Sequence, residues 1–167
     1  MKEGKEPMVI TFDRHPRQTV CPDFRPQLLS TYEEKLSLLS QTGVRNCAVL
    51  HFGKDMAGLS AREFMQTVLK DRLNVSTLII GYDNRFGHNR AEGFNDYVRY
   101  GSEMGITVLH GEPLYVEGIK VSSSVVRRYI VNGDMENARL CLGRSYSIEG
   151  KVVHGFQNGR KMGFPTA

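Results

Sequence analysis

Three polar clusters in this chain have residue types and spacing suited to a phosphorylated, ring-bearing molecule. The first, Thr11-Phe12-Asp13-Arg14-His15-Pro16, places a carboxylate and an imidazole directly after a short apolar run. The second is Gly81-Tyr82-Asp83-Asn84-Arg85-Phe86-Gly87-His88. Asp83 and Asn84 can hydrogen-bond a heteroaromatic edge, Arg85 can pair with phosphate, and Phe86 can stack on a ring. Gly81 admits close approach of a ligand to backbone. The third runs from Lys120 to Arg128 and contains Ser122, Ser123 and Ser124. Three serines at a helix start aim hydroxyls and unsatisfied N–H groups at one point, where the helix dipole favours an anion. Arg127, one turn on, reaches the same anion. Each cluster has an ordinary counterpart: strand-end turn residues, a polar coil, a serine cap.

The elements that position these clusters follow from the apolar pattern. Met8-Val9-Ile10-Thr11-Phe12, residues 47–52, Thr77-Leu78-Ile79-Ile80-Gly81 and residues 106–110 are short, β-branched runs that read as buried strands. A proline-rich loop follows the first (Pro16, Pro22, Pro26). Helices are expected after Ser30 or Thr31, with Glu33 and Glu34 in the first turn and a stop at Gly43, and after the capping box Ser60-x-x-Glu63. Further helices are expected at about 94–104, 123–131 and 134–142. Strands alternating with helices predict a parallel sheet covered on both faces, a Rossmann-like α/β architecture. Ligands bind such sheets beyond the C-terminal strand ends, where the three clusters lie. After Gly143 the texture changes. Residues 146–154 alternate like an antiparallel strand, and a Gly-rich turn follows.

Composition excludes several classes. The 167 residues are 40% hydrophobic and 24% charged, enough for a core without staples. The net charge of +4 is mild and scattered, which suits anionic small molecules and gives no reason to expect nucleic acid. Three separated cysteines and no CxxC predict reduced thiols in a cytoplasmic protein without structural zinc. No apolar run approaches a membrane span, so no membrane partner is expected. Neither GxGxxG, a Walker P-loop, HExxH nor GxSxG occurs.

Taken in order, the strings resemble the prokaryotic bifunctional riboflavin kinase/FMN adenylyltransferase, or FAD synthetase, family. Residues 10–16 look like its TF-x-x-HP strand end, and residues 29–39 like its L-[TS]-[TS]-x-x-EK-x-x-LL helix. Residues 81–87 are similar to its G-x-DFRFG segment, with Asn84 where Phe is usual. Residues 121–127 are similar to its SST-x-IR motif. Gly143-Arg144-x-Tyr146 and Gly163-Phe164-Pro165-Thr166-Ala167 look like the start of its riboflavin kinase domain and its GFPTAN motif.

The resemblance implies a Rossmann-like nucleotidyltransferase domain over residues 1–143, followed by the start of a β-barrel kinase domain over 144–167. It implies FAD biosynthesis: adenylyl transfer from ATP to FMN, with riboflavin phosphorylation in the longer parent. FMN, riboflavin and ATP would be substrates, with Mg²⁺ on the phosphates. Ser122, Ser123, Ser124 and Arg127 would hold ATP phosphates. Asp83, Arg85, Phe86 and Gly87 would face the flavin or adenine, and His15 would shape the strand-end pocket. In the kinase remnant, Gly163 and Pro165 would shape the turn and Thr166 would meet Mg-ATP. The family's first strand and its H-x-G-H turn have no counterpart here, which implies a shortened, inactive or impaired chain. Two strand edges would then lie unpaired, and self-association through them is expected. Other readings are a nucleotidyltransferase of the same fold with another acceptor, and a non-catalytic flavin- or nucleotide-binding fragment.

Overall fold

A computed structural model describes residues 4–21, 23–88, 90–151, 153–154, 156 and 158–163. The chain forms two compact units, residues 1–123 and 124–167. The first opens with β1 (Met8–Phe12), α1 (Pro16–Val20), α2 (Tyr32–Ser40) and β2 (Asn46–Leu50). There follow α3 (Lys54–Gly58), α4 (Ala61–Glu63), a π-helix (Phe64–Arg72) and β3 (Thr77–Gly81). It closes with α5 (Phe94–Met104), β4 (Thr107–Gly111) and the short strands β5 (Tyr115–Val116) and β6 (Ile119–Lys120).

Several helix ends are where the sequence places them, for local reasons, but α2 ends at Ser40 with Gln41 as its C-cap, short of the stop expected at Gly43. Thr31 and Glu34 form a reciprocal capping box on α2, and Ser60 and Glu63 form another on α4. Gly105, left-handed at φ 71°, closes α5. The capped α4 continues as π-helix rather than α-helix, a rare geometry that the apolar spacing does not announce. Two helices of the first unit are not foreseen. Pro16 at the first helical position and the His15 cap turn part of the proline-rich loop into α1. Residues 54–58 form α3.

The described strands form parallel pairs rather than one continuous sheet. β1 pairs with β2, Met8 opposite Asn46 and Phe12 opposite Leu50. β3 pairs with β4, Thr77 opposite Thr107 and Gly81 opposite Gly111. β5 and β6 form an antiparallel hairpin. β1 and β3 share no ladder. The result is a mixed α/β fold with small parallel sheets.

The core lies on one side of β3 and β4, where Ala61, Met65, Leu69, Ile80, Tyr97, Met104 and Ile106 pack together. Fully burying a side chain such as Met65 or Leu69 contributes about 1.5–3 kcal/mol each. Close packing of α5 requires Gly101: a Cβ there would lie 2.5 Å from the Ile106 carbonyl oxygen. The expected cover on both faces is not seen. Val49, Ile79 and Leu109 are 38%, 69% and 46% exposed, and on β3 and β4 the core cluster lies on the opposite face, with Ile80.

The second unit holds most of α6 (Ser123–Val131), α7 (Met135–Leu142) and α8 (Asn158–Lys161). Val126, Ala138 and Cys141 are buried. The Asp134 side chain caps α7, and left-handed Gly143 ends it. The strand expected over 146–154 does not form among the described residues. Among the described residues of this unit no strand is available to pair with it, and Ile148 stays 81% exposed. Val152 lies outside the described residues. Residues 158–161, expected to begin within a turn, are helical.

Candidate functional site

At the C-terminal end of β1, Asp13 ties the first strand pair together. Its carboxylate accepts the Phe52 amide at 3.0 Å and meets His51 Nδ1 at 2.7 Å, while Arg14 lies 3.6 Å away. The Phe52 N–H first, and then His51, hold the Asp13 pKa below its ordinary value of 3.8. Lys35 Nζ donates to the Phe12 carbonyl at 2.8 Å, and Thr19 Oγ1 donates to that of Phe52 at 2.7 Å. These bonds fix the loops that follow β1 and β2.

His15 has a structural task in this arrangement. Its Nδ1 accepts the Arg17 amide at 3.2 Å, and its own N–H donates to Gln18 Oε1 at 3.2 Å. The ring lies 5.3 Å from that of Phe24. It caps α1 and still lines the cleft described below.

The loop after β3 is built around Tyr97 of α5. This fully buried hydroxyl accepts the Phe86 amide at 3.2 Å and donates to the carbonyl of Glu92 at 3.0 Å or Phe86 at 3.2 Å. Its ring stacks on Phe86 with centroids 4.2 Å apart. The predicted stacking residue therefore has a protein ring on one face already. Gly87 is required here. Its φ is +97°, and a Cβ would sit 2.8 Å from the Ala61 nitrogen. Asp83, Asn84 and Arg85 are exposed. Gly81 has no such requirement: a Cβ there would make ordinary contact with Asn84 at 3.9 Å.

Sequence reasoning misses an aromatic cluster beside this loop. Lys120 Nζ lies 3.9 Å from the centroid of the Tyr82 ring. Hydrogen bonding to Tyr82 is the main cause that raises the Lys120 pKa above 10.5. His110 stacks on Phe94 at 4.3 Å and approaches the Tyr82 carbonyl with Nε2 at 3.2 Å. The signal available was only that Tyr82, His110 and Lys120 sit at or near strand ends.

A cleft of about 1840 Å³ runs between β1 and β3. His15, Arg85, Phe86 and Gly87 all line it, so the structure gathers four predicted residues from two clusters. Asp83 is not among its lining residues. Ser122 and Ser123 belong to the first unit; Ser124 and Arg127 lie on α6 in the second. Gly163, left-handed at φ 80°, follows α8. Pro165 and Thr166 lie outside the described residues. Among the described residues, no three His, Cys, Asp or Glu side chains cluster to hold a metal ion. Among them, too, no helix is long and apolar enough to cross a membrane.

Paired parallel strands with ring- and phosphate-type residues beyond their C-terminal ends define an α/β chain with a candidate site at the strand ends. A family model for FAD synthetase matches residues 1–125, and one for riboflavin kinase matches residues 142–167. The bifunctional riboflavin kinase/FMN adenylyltransferase of Escherichia coli strain K12 is 33% identical over 96% of this chain and 51% of its own length. The enzyme of the same name from Buchnera aphidicola of Acyrthosiphon pisum is 31% identical with the same coverages. A solved structure described as a macrolide-efflux protein from Streptococcus pneumoniae superposes with a TM-score of 0.76 at 30% identity. The match covers 95% of this chain and 51% of that one. The chain belongs to the FAD synthetase family. It spans about half the length of the curated relatives it matches.

Proposed function

We propose that this chain binds FMN and ATP as the adenylyltransferase part of an FAD-forming enzyme. The observation that carries the reading is the cleft end lined by His15, Arg85, Phe86 and Gly87, within the residues the FAD synthetase model matches. In the reaction, an FMN phosphate oxygen attacks the α-phosphorus of ATP in line. The new oxygen–phosphorus bond forms as the bond to the bridging oxygen breaks, and pyrophosphate leaves. No protein nucleophile is needed, so positioning and charge stabilisation do the catalysis.

Arg85 pairs with phosphate, and Asp83, Phe86 and Gly87 bound the flavin or adenine side. His15 shapes the strand-end pocket. Ser122, Ser123, Ser124 and Arg127 hold ATP phosphates. Mg²⁺ arrives with the nucleotide as Mg-ATP. The fold behind this is a Rossmann-like nucleotidyltransferase domain over residues 1–143, and residues 144–167 begin a riboflavin kinase domain with Gly163, Pro165 and Thr166 near its nucleotide. The family-model match starting at residue 142 supports that division. The compartment is the cytoplasm, and the exposed strand edges support self-association.

A second reading is binding without turnover. The test is an FMN titration followed by flavin fluorescence anisotropy, with and without Mg-ATP, together with a pyrophosphate-release assay. Saturable binding with release supports the enzyme, and binding alone supports the second reading. No FMN binding by a chain with helical circular dichroism refutes both.

A further inference from the structure

The loop after β3 and the segment that leads into the serine run meet at one residue, Tyr82. Its backbone is anchored first. His110, on β4, donates from Nε2 to the Tyr82 carbonyl at 3.2 Å, and the His110 ring is itself stacked on Phe94 of α5. The Tyr82 side chain therefore leaves from a point fixed to the β3–β4 pair. Its ring then meets a charge. Lys120 Nζ lies 3.9 Å from the ring centroid, within reach of a cation–π contact.

Lys120 ends the β5–β6 hairpin, whose strands have two residues each, and Tyr115 is its cross-strand partner. An isolated two-stranded hairpin is marginal in water. A contact outside the hairpin therefore decides where its last residue stands. Hydrogen bonding to Tyr82, ahead of the charges of Tyr82, Tyr115 and Asp83, raises the Lys120 pKa above 10.5, so the ammonium is charged throughout the neutral range. Ser122 and Ser123 come two and three residues later, and α6 starts at Ser123. Two residues of extended chain span at most about 7 Å, so the place of Lys120 limits the place of Ser122.

We propose that Tyr82 is a positioning residue for the nucleotide, on the reading that Ser122 and Ser123 hold ATP phosphates. It acts through Lys120: the ring holds the ammonium, and the ammonium holds the start of the serine run beside the loop after β3. Asp83, Arg85 and Phe86 follow Tyr82 directly in that loop. One side chain thus sets the phosphate-holding segment against the ring-holding one, and an in-line transfer depends on that spacing. Removing the ring leaves both sets of ligand-facing groups in the chain and frees one from the other.

The test uses the full chain with Mg-ATP and FMN titrated separately, and hydrogen–deuterium exchange of residues 119–124 without ligand. Tyr82→Leu and Lys120→Met each raise the Mg-ATP dissociation constant about tenfold and speed exchange of 119–124, while FMN affinity stays within about twofold. Tyr82→Phe and Lys120→Arg keep a cation over a ring and stay within about threefold of the parent. The double variant Tyr82→Leu/Lys120→Met binds Mg-ATP no more weakly than either single one, because the two act as a unit. Unchanged Mg-ATP affinity in Tyr82→Leu, unchanged exchange, or additive losses in the double variant overturns the proposal. So does an equal loss of FMN affinity, which marks collapse of the loop, or a loss in Lys120→Met alone, which marks a lysine acting without Tyr82. A parent that binds FMN and no Mg-ATP overturns the reading of the serines and the proposal with it; a parent that binds both, with variants that match it, overturns the proposal alone.

Discussion

Replacing Tyr97 by phenylalanine tests whether one buried hydroxyl holds the loop that carries Asp83, Arg85, Phe86 and Gly87. Tyr97 is 1% exposed, and its hydroxyl lies 3.0 Å from the Glu92 carbonyl and 3.2 Å from both the amide and the carbonyl of Phe86. A phenol has one proton, so it makes one donated and one accepted bond at a time along this set. Tyr97→Phe keeps the ring and its stack on Phe86 and removes only the oxygen. Two net hydrogen bonds are lost with their backbone partners left in place, about 1–3 kcal/mol in all.

In a chain of 167 residues, each kcal/mol moves Tm by about 2–4 °C, so the middle of that range is a fall of about 6 °C. The assay is thermal unfolding by circular dichroism, paired with hydrogen exchange of residues 82–93. That loop should exchange faster in the variant, with β1 and β2 unchanged. A Tm within about 1 °C of the parent would refute the energetic reasoning. A fall in Tm with no local acceleration would refute the claim that the hydroxyl acts through this loop.

The other predictions rest on separate features. Gly101→Ala destabilises the chain. Alanine in a helix interior is ordinarily favoured by about 1 kcal/mol, but its Cβ would meet the Ile106 carbonyl at 2.5 Å and Val108 Cγ2 at 2.7 Å; a raised urea midpoint would contradict this. Gly87→Ala forces a side chain into φ +97° against the Ala61 backbone and lowers stability by about 1–3 kcal/mol, read by urea unfolding. Asp13 has a depressed folded pKa, so its contribution is present above 3.8 and is lost as pH falls through the folded value. Tm of the parent should thus drop below pH 3.8 more steeply than that of Asp13→Asn, with parallel acid limbs as the contrary result. Arg85→Ala, at an exposed position lining the cleft, raises the FMN dissociation constant about tenfold, in line with loss of a charge-assisted bond, while Tm holds.

Local signals were legible, and signals that need a partner were not. Capping residues Thr31, Ser60 and Asp134 and the left-handed Gly105 and Gly143 mark helix ends in the sequence because each satisfies its own helix's terminal groups. β1 and β3 show as apolar runs with the observed bounds. The hairpin β5–β6 was missed because its turn is Glu117-Gly118, both at positive φ, and glutamate is not a usual residue there. α1 was hidden because Pro16 reads as a loop residue unless the His15 cap is known. At the candidate site, residue types were legible and their engagements were not. Phe86 looks like a ligand-stacking ring until Tyr97 is found on its face. Tyr97, Gly101 and Met104 announce a buried helix stripe, but nothing in the spacing says that the Tyr97 hydroxyl closes onto a loop eleven residues back.

The bonds that build the site also divide it into two halves with different anchors. The loop after β1 is tied by Asp13 to Phe52 and His51, hence to the end of β2. The loop after β3 is tied by Tyr97 to α5, hence to the β3–β4 core. At the opposite end of the strands, Lys5 bridges to Thr77, an exposed hydrogen bond of small net worth. His15 sits on the first half, and Arg85, Phe86 and Gly87 sit on the second. A ligand touching both halves must therefore fix their spacing as well as make its own contacts, and that ordering is subtracted from its affinity.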